Sequence, residues 1–362
     1  MYNNLEVSCN KYELFKPFEI KTKGIFPATR YQGSKNKLVK WIEYHTKQLS
    51  FQTVIDAFGG TGCVAHMFKS NNKRVIYNDI LKFNYYIGLA LIENSNVLLE
   101  EEDIKFILTK KADIDYPSFV SDTFKDIYFT DNENKWLDFV ITNISYIKDK
   151  YKQALAYYAL FQSCIIKRPY NLFHRKNLYI RTADVKRSFG NKASWDTSFD
   201  IYFRKFADEA NKAVFSNGRI NKSANADIFK LDDSADLVYI DTPYISQKGN
   251  GVNYLEFYHF LEGLTDYDSW EQKIDTNSKH KKIKSDNNIW NDKNKIAEAF
   301  DKLFKKYQNS IFVVSYRSDG IPSIDKLTKI LSKYKKNIEI KQLDYKYVLS
   351  QKDLKEVLII AK

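Results

Sequence analysis

The chain has 362 residues, more than one hydrophobic core usually organises, so we expect one large α/β unit with a second, smaller lobe. Hydrophobic residues make up 44% of the chain and aromatic residues 15%, which excludes a disordered protein. The net charge of +12 favours a polyanionic partner, although an AT-rich genome also produces lysine-rich proteins.

The first predicted elements form a βαβ unit. Hydrophobic periodicity predicts a helix over residues 35–49, and the β-branched run 52–57 predicts a strand. A glycine-rich turn at 59–62 leads into a second helix, and residues 73–77 predict the next strand. This order implies a right-handed crossover and a parallel sheet.

The strand pattern stops there and resumes late in the chain. Residues from about 83 to 224 predict mainly helices and loops, which indicates an inserted lobe. The later elements are strands over 236–241, 310–315, 337–343 and 356–361, and helices over 295–307 and 323–334. We therefore expect residues 1–88 and 225–362 to form one discontinuous α/β domain around an insert of residues 89–224. A mobile loop is expected over about 245–295, most clearly in its polar part 272–295.

Most of the positive charge falls within the insert, where residues 148–222 contain 16 Lys and Arg against 6 Asp and Glu. Interleaved basic and aromatic side chains are typical of a DNA-reading surface, and a solvated basic surface over an aromatic core is the alternative. We expect residues 169–195 and the loop 272–295 to approach DNA. The basic residues expected to contact it are Lys167, Arg168, Arg175, Arg181, Lys186, Arg187 and Lys192.

The glycine turn is a candidate cofactor loop. Between Asp56 and Gly62 the glycines let the backbone approach a ligand, and the helix that follows directs N–H groups toward it. The turn lacks the GxGxxG fingerprint, which argues against a nicotinamide-dependent oxidoreductase. Asp79, at the end of the next strand, is suited either to bind ribose hydroxyls or to cap a helix.

The tetrapeptide Asp241-Thr242-Pro243-Tyr244 follows an apolar strand at the ligand-binding edge of the sheet. An amine on an aromatic ring is a poor nucleophile because its lone pair is delocalised. Asp241 and a backbone carbonyl would accept hydrogen bonds from such an amine, while Tyr244 offers a face for stacking a base. A strand-terminal Asp before a proline turn is also common in proteins without this chemistry.

Taken in order, these motifs resemble the alpha-class N6-adenine DNA methyltransferases. The segments that carry the resemblance are 30–38, 56–62, 78–79, the basic insert, 226–228, 241–244 and 314–320. The resemblance implies a Rossmann-like, S-adenosylmethionine-dependent methyltransferase sheet with an inserted, mostly helical target-recognition domain. It also implies methylation of an adenine flipped out of double-stranded DNA, without a metal or a covalent intermediate.

The resemblance also implies roles for individual residues. Tyr31 and Lys35 would contact the methionine part of the cofactor, Asp79 its ribose and Asp227 its adenine amine. The loop that surrounds the cofactor would comprise Asp56, Phe58, Gly59, Gly60 and Gly62, and the target base would be held by Asp241, Thr242, Pro243 and Tyr244.

One departure from the family pattern leaves alternatives open. Thr242 replaces the usual first proline, which weakens the choice of adenine over N4 of cytosine. An RNA adenine methyltransferase and a catalytically inactive DNA-binding relative remain alternatives. Under the resemblance the enzyme either belongs to a restriction-modification system, with a cognate restriction endonuclease encoded nearby, or is an orphan methylase.

The cysteines and the N-terminus bear on location. Cys9, Cys63 and Cys164 form no CxxC pair, which argues against a disulfide framework or a structural zinc site. The first ten residues lack a signal-peptide pattern, and no apolar run approaches the roughly 18 residues that cross a bilayer. We therefore expect a protein of the bacterial cytoplasm or nucleoid, with no membrane partner.

Overall fold

A seven-stranded sheet organises the fold. The computed structural model describes residues 24–185, 192–246, 251–285, 288–345 and 354–362. The strands are β1 (Thr53–Asp56), β2 (Arg74–Asn78), β3 (Lys222–Ala224), β4 (Leu237–Ile240), β5 (Ile245–Ser246), β6 (Ile311–Arg317), β7 (Gly320–Ile321), β8 (Ile338–Tyr345) and β9 (Leu354–Ala361). The sheet has the order β3-β2-β1-β4-β6-β9-β8, while β5 and β7 form a separate antiparallel pair.

The sheet is mostly parallel. Strands β3, β2, β1, β4 and β6 run parallel to one another, whereas β9 is antiparallel to both β6 and β8. From β1 the chain continues to one side through β2 and β3, and it later returns to the other side through β4. Ligands bind at such a reversal of strand order, outside the carboxyl ends of the strands.

Helices cover both faces of the sheet. They are α1 (Val39–Thr46), α2 (Cys63–Ser70), α3 (Lys82–Gly88), α4 (Glu101–Leu108), α5 (Phe119–Thr123), α6 (Asp131–Ser145), α7 (Lys150–Ile166), α8 (Leu178–Thr182), α9 (Lys192–Asp196), α10 (Phe199–Ala213), α11 (Tyr254–Leu264), α12 (Trp270–Lys273), α13 (Ile296–Lys306) and α14 (Ile324–Leu331). Side chains alternate along each strand, so that Val54 of β1 packs into the larger hydrophobic cluster and Ile55 into the cluster that contains α13 and α14.

The predicted strands and helices of the α/β domain are confirmed. Each strand expected over residues 52–57, 73–77, 236–241, 310–315, 337–343 and 356–361 is present, with ends shifted by at most two residues. Strand β3 was not predicted, because three residues are too short to show periodicity. It pairs with β2, so the last residues of the expected insert belong to the sheet.

The helices of the expected insert share one hydrophobic cluster with the sheet. Helix α7 packs between α10 and α3, and it is buried along its length from Ala154 to Ile166. Its side chains belong to the same cluster as Val54 and Leu237 of the sheet. The helical region is therefore joined to the catalytic sheet by a common core, and its role as a recognition domain stays a prediction.

The expected loop over residues 245–295 contains regular structure. Helix α11 buries Tyr258, Phe260 and Leu261 against the larger cluster, and Trp270 is fully buried. The loop prediction is wrong for these residues, because their apolar side chains pack on parts of the chain distant in sequence. The polar part 272–285 pairs back on itself through a bridge between Ile274 and Ile283.

Candidate active site

The carboxyl ends of β1, β2 and β4 open into one cleft. Asp56 ends β1, Asp79 follows β2 and Asp241 follows β4, and the three strands are direct neighbours in the sheet. The predicted residues that line this cleft are Tyr31, Lys35, Asp56, Phe58, Gly59, Gly60, Asp79, Asp227, Asp241 and Pro243. Residues from five separate segments of the sequence thus line one cleft.

The glycine turn is shaped by contacts with β2. The Gly59 N–H donates to the carbonyl of Asn78 at 2.9 Å, and a Cβ added to Gly59 would lie 2.0 Å from the Tyr77 ring. Gly60 has φ +52°, and Gly62, with φ +76°, is the N-cap of α2. Glycine is required at these positions by close packing at Gly59 and by left-handed backbone at the other two.

Asp79 is tied to the glycine turn. Its Oδ2 accepts hydrogen bonds from Gly60 N at 3.0 Å and Asn84 Nδ2 at 3.0 Å, while Oδ1 accepts one from Leu81 N at 2.9 Å. Burial raises the pKa of this carboxyl to about 6, although the three donors oppose the rise. Two carboxylate oxygens have about four lone-pair sites, so Asp79 keeps acceptor capacity for a ligand.

Asp56 is the most deeply buried carboxyl group of the cleft, and its side chain is 1% exposed. Its Oδ1 has no hydrogen-bond partner among the described residues. Burial raises the pKa of Asp56 well above its usual range, and the negative charges of Asp241 and Asp79 add to this effect. A cationic ligand group would stabilise the ionised form of such a carboxyl.

Lys35, Asp241 and Tyr244 form a three-membered cluster. The Lys35 Nζ lies 3.1 Å from Asp241 Oδ1 and donates to the Tyr244 hydroxyl at 2.6 Å. That hydroxyl donates in turn to the same Asp241 Oδ1 at 2.7 Å. Tyr244 is 9% exposed and the Lys35 ammonium lies 4.7 Å from its ring centre, so in this state its ring is covered rather than presented to a base.

The rest of the tetrapeptide lies at the same turn. Pro243 lines the cleft, whereas Thr242 is buried and its hydroxyl has no hydrogen-bond partner within the described ranges. Asp227 also lines the cleft, and its Oδ1 accepts a hydrogen bond from Phe229 N at 3.0 Å. Thr242 is therefore accommodated as a buried residue.

Helix α11 supplies a wall that the sequence did not predict. Tyr31 is stacked between two of its rings, with its centre 5.6 Å from that of Tyr254 and 4.6 Å from that of Tyr258. Tyr254 lines the cleft, and the Tyr258 hydroxyl accepts a hydrogen bond from Gln32 N at 2.7 Å. The tyrosines at positions 254 and 258 were the available signal, since residues four apart lie on one helix face.

A second missed wall comes from residues 288–291. Trp290 is 5% exposed and packs edge-on against Phe58 of the glycine turn, with ring centres 5.0 Å apart. It also stacks on Phe229 at 5.6 Å, and Asn288 and Asn291 line the cleft beside it. This end of the polar segment therefore belongs to the cleft.

Three of the basic residues predicted to contact DNA are buried instead. Lys167 and Arg181 form ion pairs with Glu133 at 3.0 and 2.7 Å. Arg168 is 1% exposed and donates to the carbonyls of Tyr128, Leu172 and Arg175 and to the side chain of Asn177. Contact with DNA phosphates does not fit their burial, because their donors are already used to hold neighbouring segments together.

The other basic residues differ in position. Arg175 and Lys192 are exposed, and Lys192 pairs with Asp196 at 2.9 Å. Lys186 and Arg187 lie outside the described residues. Trp195, in the same basic region, is 9% exposed and belongs to the buried hydrophobic residues.

The two described cysteines, Cys63 and Cys164, are both buried. Burial raises the pKa of the Cys63 thiol to about 11 and that of Cys164 well above its usual range, which disfavours a thiolate nucleophile at either position. In the described ranges no cluster of His, Cys, Asp or Glu has the makeup of a metal site. Among the same residues, no helix is both long and apolar enough to span a membrane.

Several known proteins are similar to this chain in sequence. A Haemophilus parahaemolyticus protein, type II methyltransferase M2.HphI, is 31% identical over 341 residues, which cover 91% of this chain and 95% of that protein. Modification methylase StsI of Streptococcus sanguinis is 28% identical over 91% of this chain, which spans 51% of that longer protein. Type II methyltransferase M.NlaIII of Neisseria lactamica is 24% identical over 87% of the chain and 91% of its own length.

The family model of D12 class N6 adenine-specific DNA methyltransferases matches residues 31–330. The match begins at Tyr31 in the cleft and includes the glycine turn, Asp79 and the tetrapeptide at Asp241. It covers most of the chain, and the relative from Haemophilus parahaemolyticus is similar over nearly its whole length. This chain therefore belongs to the D12 class of N6 adenine-specific DNA methyltransferases.

Proposed function

We propose that this enzyme transfers a methyl group from S-adenosylmethionine to N6 of an adenine extruded from duplex DNA, at one recognition sequence. The observation that carries the proposal is the meeting of Asp56, Asp79 and Asp241 in one cleft at the strand-order reversal. The basic region of residues 148–222 supports duplex DNA as the substrate, and we propose that residues 89–224 contain the target-recognition domain.

The cleft suits the proposed cofactor. S-adenosylmethionine supplies an electrophilic methyl group on a positively charged sulfur. The unpaired, buried Oδ1 of Asp56 favours a cationic ligand, and Asp79 keeps acceptor capacity for ribose hydroxyls. By family resemblance we assign the adenine amine of the cofactor to Asp227 and its methionine part to Tyr31 and Lys35, with the turn from Phe58 to Gly62 surrounding the cofactor.

The tetrapeptide is assigned to the target base. Asp241 and the backbone carbonyl at Thr242 would accept hydrogen bonds from the amine, which localises the nitrogen lone pair toward the methyl group. Pro243 shapes the turn that holds these acceptors. Because Tyr244 is buried and the Lys35 ammonium lies 4.7 Å from the centre of its ring, stacking of the base on this ring requires the side chains around it to move.

A labelling experiment tests the proposal. The purified enzyme is incubated with methyl-labelled S-adenosylmethionine and duplex DNA, and the DNA is digested to nucleosides. We expect label in N6-methyladenine, and Asp241→Ala should remove the label while leaving DNA affinity within about threefold. Label in N4-methylcytosine would show that the substrate is cytosine in DNA, and label that appears only with RNA would show that the substrate is an RNA adenine.

A biological role follows from the relatives, several of which carry the name type II methyltransferase. We propose that this enzyme acts in the bacterial cytoplasm, on the nucleoid, and protects DNA against a restriction endonuclease encoded nearby. Sequencing of DNA methylated by the enzyme would reveal the recognition sequence. DNA carrying that mark should then resist an endonuclease from the neighbouring gene, and cleavage of the marked DNA would contradict this role.

A further inference from the structure

Two segments distant in sequence meet at the hydroxyl of Tyr128. This oxygen lies 2.5 Å from the carbonyl oxygen of Phe173 and 3.0 Å from that of His280. His259 of α11 packs in the same place, with its Nε2 2.8 Å from the Tyr128 hydroxyl and 3.1 Å from the Phe173 carbonyl. The backbones at residues 173 and 280 are therefore held side by side.

Each of these segments carries exposed positive charge next to the joint. Arg175 and Lys176 follow Phe173, whereas Lys279 and Lys284 belong to the segment around His280. All four are exposed and make no ion pair within the part of the chain that the structure describes.

Carboxylates nearby do not cancel this charge. Lys282 pairs with Glu256 at 3.6 Å and Lys273 pairs with Asp266, so those two lysines are neutralised. Asp275 is half-buried, and its Oδ1 accepts a hydrogen bond from Asn277 N. Arg175, Lys176, Lys279 and Lys284 thus leave a net positive surface, which we call the joint surface.

The joint surface lies beside the cleft. The Phe173 N–H donates to the carbonyl of Phe257 at 2.9 Å, one turn along α11 from Tyr254, which lines the cleft. At a rise of about 1.5 Å per residue, Tyr254 and His259 are separated by about 7.5 Å along the helix. A duplex held at the joint surface would therefore pass close to the site that receives the extruded base.

We propose that the joint surface, formed by Arg175, Lys176, Lys279 and Lys284, binds the phosphates of duplex DNA beside the cleft. This inference rests on the proposed function, since it assumes a DNA substrate. It divides the polar segment 272–295 into two parts with separate roles: residues 274–285 face DNA, whereas residues 288–291 wall the cleft.

Salt dependence of DNA binding tests the proposal. Each phosphate contact contributes about 0.9 to the slope of log K against log salt for duplex DNA. The variants Arg175→Ala/Lys176→Ala and Lys279→Ala/Lys284→Ala should each lower the slope by about 2 and weaken binding roughly tenfold or more at moderate salt. Melting temperatures should stay near that of the wild type, because the four side chains are exposed.

A matched control comes from the opposite face. Lys326 and Lys329 are exposed on α14, which packs with α13 on the other side of the sheet. The variant Lys326→Ala/Lys329→Ala should keep the wild-type slope. Equal loss in this control, or an unchanged slope in either joint-surface variant, would overturn the proposal.

A further variant tests the joint itself. Tyr128→Phe keeps the buried ring but removes the hydroxyl that lies against both carbonyls, so the two segments should separate and the slope should fall although no charge is lost. An unchanged slope would overturn the inference that the joint at Tyr128 holds the two segments together as one DNA-binding surface. The labelling assay and a titration with S-adenosylhomocysteine separate this proposal from the proposed function. If the joint-surface variants still methylate adenine and their DNA binding keeps the wild-type salt slope, the assignment of the surface fails and the proposed function stands.

Discussion

Lys35 holds the carboxylate of Asp241, with Lys35 Nζ 3.1 Å from Asp241 Oδ1, and it also donates to Tyr244, which donates to the same oxygen. Family resemblance instead assigns Lys35 to the methionine part of the cofactor. The geometry gives Lys35 a positioning role for the catalytic carboxylate, and the two roles predict different results on substitution.

Replacing Lys35 with Met should lower the methylation rate by roughly 100-fold, because a small displacement of a reacting group has effects of this size. It should also destabilise the fold by up to about 3–5 kcal/mol, since Asp241 would lose its buried partner. If Lys35 acts through Asp241, the Kd for S-adenosylhomocysteine, measured by calorimetry, changes less than about threefold. A tenfold rise in that Kd would favour the cofactor role, and Lys37→Met, at an exposed position, is the control.

Cofactor binding should weaken in acid through Asp79. Its pKa is about 6, against an ordinary value near 4, so the carboxylate is ionised above pH 6 and protonated below it. Ribose hydroxyls donate best to the ionised form, and affinity should therefore fall about tenfold per pH unit below 6. Calorimetric titration with S-adenosylhomocysteine between pH 5 and 8 measures this effect.

The variant Asp79→Asn provides the control for this prediction. It should bind S-adenosylhomocysteine weakly at every pH and lose the dependence centred near pH 6. Asp56, whose pKa is raised well above its usual range, contributes a separate dependence that this variant retains. If the affinity for S-adenosylhomocysteine had the same pH dependence in the wild type and in Asp79→Asn, Asp79 would not be a cofactor-binding residue.

Gly59 should not tolerate a side chain. A Cβ there would lie 2.0 Å from the Tyr77 ring, which is itself fully buried and donates to the Gly60 carbonyl at 2.7 Å. Gly59→Ala should lower the free energy of unfolding by about 1–3 kcal/mol or more and weaken cofactor binding. Gly218→Ala is the comparison: its φ of +72°, which has no counterpart at Gly59, costs an alanine about 1 kcal/mol, but no atom lies within 4 Å of the added Cβ. Similar losses in denaturant unfolding for both variants would contradict the clash.

Substitutions of Arg168 and Arg175 should have different effects, the first on stability and the second on DNA binding. Arg168→Met removes a buried guanidinium that donates to carbonyls of three residues, so we expect a large loss of stability, about 3 kcal/mol or more. Arg175→Met, at an exposed position, should leave thermal unfolding unchanged and lower DNA affinity. If Arg168→Met were as stable as the wild type and its DNA binding had a reduced salt slope, Arg168 would contact DNA after all.

Local sequence determined the α/β framework and the order of the site motifs. The strands ending at Asp56 and before Asp241 were predictable because β-branched, apolar runs with turn residues behind them have few other structures available. Asp79 could be placed by the same reasoning, since parallel strands direct their carboxyl ends to one edge. The identity of the base as adenine followed from the family and its shared motif order.

Only the tertiary structure decided which side chains act together. Composition marked Arg168 as a DNA contact and residues 245–295 as a loop, but packing buries Arg168 and turns Tyr254 and Trp290 toward the cleft. Likewise, the pairing of Lys35 with Asp241 joins the two ends of the catalytic domain. The physical reason is that burial and ion pairing depend on segments far apart in the chain, whereas periodicity and turn chemistry are properties of neighbouring residues.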